Sequence, residues 1–146
     1  MIETRMLSDW IQGVYPGTTK IIRAWLGPLE QDTVLARAGV TPRVLMPFAG
    51  GWADALILDR AWTRLVESKV VATGEAIGQL QVYSRLFKKT NEFKDRWIKP
   101  LIPVLLYAYP RSEALALAHD AGIETVHYCP DYISDYYREI AGLTWP

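Results

Sequence analysis

Residues 52–71 read WADALILDRAWTRLVESKVV, and the folding of this stretch decides the rest of the chain. The segments ADALILD (53–59) and WTRLVESKVVA (62–72) have the length and apolar content of strands, with Asp59-Arg60 as a tight connection between them. Side chains alternate along a strand, so Glu67 and Lys69 share a face, together with Leu65 and Val71. Asp54 lies thirteen residues before Glu67 on the preceding strand, where a hairpin sets the two carboxylates side by side. Burying such charges without compensation costs several kcal/mol each, on the order of a lost ion pair. Either they pair with one another or a cation takes the carboxylates.

Working outward, TGEAIGQLQVYSRLFKK (73–89) carries Ala76, Ile77, Leu80, Tyr83 and Phe87 at helical spacing. Thr73 and Glu75 stand where a cap and a first-turn acid belong. Beyond it, PVLLYAY reads as a buried strand, RSEALALAHDAG as a helix closed by Gly122, and ETVHYC as a further strand. A last helix, DYISDYYREIAGL, has Asp131 near its N-cap. Upstream, MLSDWIQGVY predicts a short helix ending at Pro16-Gly17, KIIRAWL a strand, LEQDTVLARAG a helix stopping at Gly39, and RVLMPF a strand turned by Gly50-Gly51. Early strands joined by hairpins and later strands alternating with helices make an α/β domain with at least one parallel pair.

Hard oxygen ligands without a convergent His or Cys favour Mg²⁺ or Mn²⁺ over zinc. Such a metal polarises a phosphate and lowers the pKa of a bound water, while a nearby ammonium orients that water and offsets developing charge. Asp54…Glu67-Ser68-Lys69 resembles the Asp…(Asp/Glu)-x-Lys signature of the PD-(D/E)XK nuclease superfamily. Gln79 and Tyr83 on the following helix resemble the Gln-x-x-x-Tyr motif of its RecB-like branch, and GWADALIL is similar to that branch's approach to the aspartate. The resemblance runs from about Gly51 to Tyr83.

It implies a restriction-endonuclease-like core, a central mixed β-sheet flanked by helices in α-β-β-β-α-β order. It also implies metal-dependent hydrolysis of DNA phosphodiesters. Asp54 and Glu67 would ligate the metal with the backbone carbonyl of Ser68, and Lys69 would position or activate the attacking water. Gln79 and Tyr83 would line the site and help hold the metals or the DNA. Ala53 replaces the proline of the family name, and the literal Pro130-Asp131 has no Glu-x-Lys after it. Many members add a first-helix glutamate; Glu30 is the leading candidate for it and Glu3 the second.

Bulk properties agree with one intracellular domain over 1–146. The 146 residues are half apolar, with six Trp and eight Tyr, enough for a single core. Zero net charge excludes general attraction to phosphate, so DNA binding needs a local basic patch. One cysteine, Cys129, excludes an internal disulfide. The acid-bearing start MIETRMLSDW lacks a signal peptide's pattern, and PLIPVLLYAYP is too short to cross a bilayer, so no membrane role and a cytoplasmic location are expected.

FKKTNEFKDRWIK (87–99) supplies Lys88, Lys89, Lys94, Arg96 and Trp97 as candidate DNA contacts, although such runs are more often solvated helix or loop. His119, His127 and Cys129 lack a fourth ligand and zinc spacing; core packing is expected for His127 and Cys129, and a helix-end position for His119. The reading is a metal-dependent deoxyribonuclease of replication, recombination or repair, of phage or mobile-element type by its small size. A homodimer or a replication or recombination protein is the partner expected beside DNA. The alternative is a non-catalytic nuclease-fold module that binds nucleic acid or protein.

Overall fold

The computed structural model describes residues 1–27 and 50–141. In chain order these form α1 (Ile2–Val14), β1 (Thr19–Leu26), β2 (Gly51–Leu58), β3 (Thr63–Val71), α2 (Gly74–Phe87), a 3₁₀ turn (Asn91–Arg96), β4 (Leu101–Tyr109), α3 (Ser112–Asp120), β5 (Glu124–His127) and α4 (Asp131–Ala141). The strands make one sheet in the order β1-β2-β3-β4-β5. The first three are antiparallel, whereas β3–β4 and β4–β5 are parallel. The helix expected over 29–39, the strand over 43–48 and Glu30 lie outside the described residues.

Two apolar layers cover the sheet. On α1, Met6, Leu7, Trp10 and Ile11 are buried on one face against Ala55, Ile57, Val66, Val70, Val104 and Leu106. Helix α2 buries Ala76, Ile77, Leu80 and Phe87 against Leu56, Leu65 and Leu105 on the other side. Leu80 and Phe87 are fully enclosed, each contributing roughly 1.5–3 kcal/mol of burial. Thr73 caps α2 as expected, its Oγ1 accepting the Ala76 N–H at 3.3 Å. Among the described residues no helix is long and apolar enough to cross a membrane.

Three details depart from the sequence reading. Helix α1 begins at Ile2, since Met6 and Leu7 already need the sheet to cover them. Gly51 is not a turn residue but the first of β2, where a Cβ would sit 2.7 Å from Cε1 of Tyr83. A side chain there would have to displace the Tyr83 ring from the strand. Val71 packs on the α1 side with Val70, not with Leu65.

The sheet is not paired uniformly. The β2–β3 ladder closes at Leu58↔Thr63 and ends at Ala55↔Val66. Beyond that point β2 stays with β1 as far as Leu26↔Gly51, and β3 stays with β4 as far as Val71↔Tyr109. The sheet therefore forks, and the fork opens beside Asp54 and Glu67.

Candidate active site

Parting strands leave backbone donors that must find partners. Asp59 donates to the Trp62 carbonyl at 3.0 Å, which fixes the hydrogen-bonding parity of the hairpin. In that parity the N–H groups of Ser68 and Val70 point into the fork. Both are taken by carboxylates. Asp54 Oδ2 accepts from Ser68 N at 2.9 Å and from Ser68 Oγ at 3.1 Å. Glu3 Oε1, reaching up from α1, accepts from Val70 N at 3.1 Å. The same parity turns the Ser68 carbonyl into the fork.

Asp54 can face the gap because β1 and β2 change faces there together. Ile21 and Leu56 pack with the α2 layer, and Ala55 and Ile57 with the α1 layer. Strict alternation would send Ala24 and Ala53 to α1, yet both join the α2 layer. The change falls at Arg23 and Asp54, which lie opposite one another between Ile22↔Ala55 and Ala24↔Ala53.

Glu67 is 4% exposed, and its Oε2 is buried without a hydrogen-bond partner. Burial is the main cause that pushes its carboxyl up to about 8, followed by the negative charge of Asp54. Lys69 and a backbone hydrogen bond from Asp54 act the other way, and Glu3 adds a smaller upward push. Without a cation, Glu67 holds its proton at neutral pH. This group is destabilised as an anion and one oxygen short of a partner.

Tyr83 stands over the fork from α2, packed on Gly51. Burial, then the charges of Glu67 and Asp54, raise its hydroxyl pKa, which keeps it a neutral donor. Gln79, one turn earlier, has its Oε1 buried and unpartnered. Lys69 is half-buried and close enough to Glu67 for its charge to be felt there. The structure thus brings Asp54, Glu67, Ser68, Lys69 and Tyr83 together. Glu3, the second candidate for a first-helix glutamate, reaches Val70 N from the helical face it shares with Leu7 and Trp10, while Glu30 lies outside the described residues.

The basic segment is placed elsewhere. Arg96 Nη1 donates to the Asp59 carbonyl at 2.9 Å and Thr63 Oγ1 at 3.1 Å, and more loosely to the Trp62 carbonyl at 3.5 Å. It fastens the closed end of the hairpin, some five residues along β2 from Asp54, or about 17 Å at strand rise. Lys88 Nζ donates to the Trp97 carbonyl, and Trp97 Nε1 to the Phe87 carbonyl. Lys89 and Lys94 are exposed. His127 is not core: it is an exposed edge-strand residue whose Nε2 lies 2.8 Å from the Ala108 carbonyl. Cys129 is half-buried against the α1 layer, and His119 is exposed in the last turn of α3.

Among the described residues no three His, Cys, Asp or Glu side chains converge as a ready metal cluster. The oxygen donors free to face a cation in the fork are those of Asp54 and Glu67 with the Ser68 carbonyl, since Glu3 Oε1 is held by Val70 N. That set fits a Mg²⁺ or Mn²⁺ ion that keeps several waters, and the orphaned Glu67 oxygen fits the cation's charge.

No protein-family model matches the chain, and no curated protein does. Among solved structures, it is similar to a repair endonuclease from Pyrococcus abyssi, with a TM-score of 0.54 and 15% identity over 86% of this chain and 46% of that one. It is also similar to EndoMS in an EndoMS–dsDNA complex, with a TM-score of 0.52 and 17% identity over 86% and 44% of the respective chains. The chain thus spans under half the length of either. The likeness carries the fold: an open mixed sheet flanked by helices, of the restriction-endonuclease-like kind.

Proposed function

We propose that the fork between β2 and β3 is the active site of a divalent-metal-dependent DNA nuclease acting in replication, recombination or repair. One observation carries this reading: a buried carboxylate oxygen of Glu67 has no partner, beside Asp54, where the sheet opens. Asp54, Glu67 and the Ser68 carbonyl would hold Mg²⁺ or Mn²⁺. When bound, the ion supplies Lewis-acid polarisation of the phosphate and a more acidic water. Glu67 must release its proton to serve as a ligand, so ion affinity rises with pH up to about 8.

The chain's own groups do the remaining work. The Lys69 ammonium hydrogen-bonds the attacking water and offsets charge gathering on the phosphate. In-line attack forms a new P–O bond to water as the P–O bond to the leaving sugar oxygen breaks. Tyr83, kept protonated, donates to a phosphate oxygen, and the unpartnered Gln79 carbonyl accepts from a water of the site. Glu3 holds the end of β3 in place and adds negative charge behind Glu67. Similarity to EndoMS, whose structure is that of a complex with double-stranded DNA, supports a duplex as substrate.

The competing reading is a nuclease-fold module that binds without cutting, and the absence of a ready three-ligand cluster among the described residues favours it. Cleavage assays separate the two. Linear, nicked, single-stranded and branched DNA are incubated with Mg²⁺ or Mn²⁺, and with chelator, for wild type, Asp54→Asn, Glu67→Gln and Lys69→Ala. Metal-dependent cutting by the wild type and its loss in all three variants is the expected result. Cutting that survives the substitutions, or no cutting of any substrate, rejects the assignment.

A further inference from the structure

We propose that Arg23 binds a backbone phosphate of the DNA substrate, flanking the scissile one, and that strained backbone geometry puts it there. The inference rests on the nuclease reading and extends it to a residue outside the carboxylate site. Arg23 has φ +55°, the only positive φ of a non-glycine residue among the described residues. An L-residue in this region costs roughly 1–2 kcal/mol, which glycine would avoid. The chain nevertheless places an arginine there, at the position facing Asp54 across the β1–β2 ladder.

The face change at this position needs only a residue that tolerates the left-handed region, so the side chain requires a separate reason. Arg23 is exposed, and its guanidinium carbon lies 5.6 Å from the ring centroid of Trp52. Among the described residues no carboxylate pairs with it. Trp52 is 39% exposed and two residues before Asp54, so the indole orients the guanidinium at the rim of the fork.

A polyanion approaching Asp54, Glu67 and Glu3 meets repulsion, and the chain has no net positive charge to offset it. A planar guanidinium with a fork of donors is suited to a phosphate diester. Lys88 and Arg96 are already engaged with carbonyls, Arg96 at the closed end of the hairpin, so neither fills this role beside Asp54.

The test compares Arg23, Arg23→Gly, Arg23→Gln and Arg23→Lys in a Glu67→Gln background, binding a labelled 20-base-pair duplex across a series of NaCl concentrations. Melting temperature is measured alongside. If Arg23 contacts a phosphate, Arg23→Gly melts higher, since strain is relieved, yet binds about tenfold more weakly, with a salt slope smaller by about 0.9. Arg23→Gln shows the same loss of affinity and slope, whereas Arg23→Lys keeps most of the slope. Higher melting with unchanged affinity and slope in Arg23→Gly overturns the proposal. Cleavage by the wild-type protein, run in parallel, separates the two readings. Metal-dependent cutting with Arg23-independent binding rejects only the role of Arg23, and a wild type that neither binds nor cuts DNA rejects both.

Discussion

The hairpin of β2 and β3 has two ends built from the same strands and opposite in character. At the closed end the polar groups of the turn find neutral or cationic partners. Asp59 N–H meets the Trp62 carbonyl, Asp59 Oδ2 accepts from Ala61 N, Thr63 N–H meets the Pro100 carbonyl, and Arg96 gathers the remaining acceptors. At the open end the donors are met by carboxylates that repel one another, and one oxygen of Glu67 is left over. In the proposed reading the first end serves stability and the second chemistry. The difference shows what a forked sheet does: it withdraws a strand's backbone partners and lets acids replace them.

Breaking the open end should affect catalysis most. Asp54→Asn and Glu67→Gln are each expected to lower the cleavage rate by about 100- to 1000-fold or more while circular dichroism stays native. Breaking the closed end should do the reverse. Arg96→Ala removes donors from Asp59 and the buried Thr63, costing about 3 kcal/mol by denaturant unfolding, with the cleavage rate of the folded protein nearly unchanged.

The pH dependence of stability sharpens the contrast. Below about pH 4 Glu67 is protonated in both folded and unfolded chains and has no effect. As pH rises past 4.5 the unfolded chain ionises, while the folded protein keeps its proton to about 8. Metal-free stability therefore falls across that window. Glu67→Gln should abolish this fall and be more stable than wild type by about 4 kcal/mol at pH 8, but equal to it at pH 4. The smallest effect is expected for Glu3→Gln, which keeps an acceptor for Val70 N–H and should change stability by less than about 1 kcal/mol.

Much of this was legible in the sequence, for identifiable reasons. Strand alternation put Glu67 and Lys69 on one face, hairpin arithmetic put Asp54 beside Glu67, and helical spacing aligned Gln79 with Tyr83. The fork was not legible, because nothing local says that β2 and β3 part after Ala55↔Val66. Nor was the face change at Arg23, a positive φ carried by a residue type that does not announce one. That Arg96 would be fastened to Asp59 and Thr63 was not legible either, because charge runs carry no record of the carbonyls they will meet. The reach of Glu3 to Val70 depends on how α1 docks through Met6, Leu7, Trp10 and Ile11, a tertiary fact that no local pattern carries.

The central claim, that the open end is built to take a cation, is tested most directly by calorimetric titration of Mn²⁺ into the metal-free protein at pH 8. Wild type should bind the ion with release of a proton, and Asp54→Asn and Glu67→Gln should each weaken binding at least about tenfold. Equal Mn²⁺ affinity in all three proteins, or no binding by the wild type, would contradict the account.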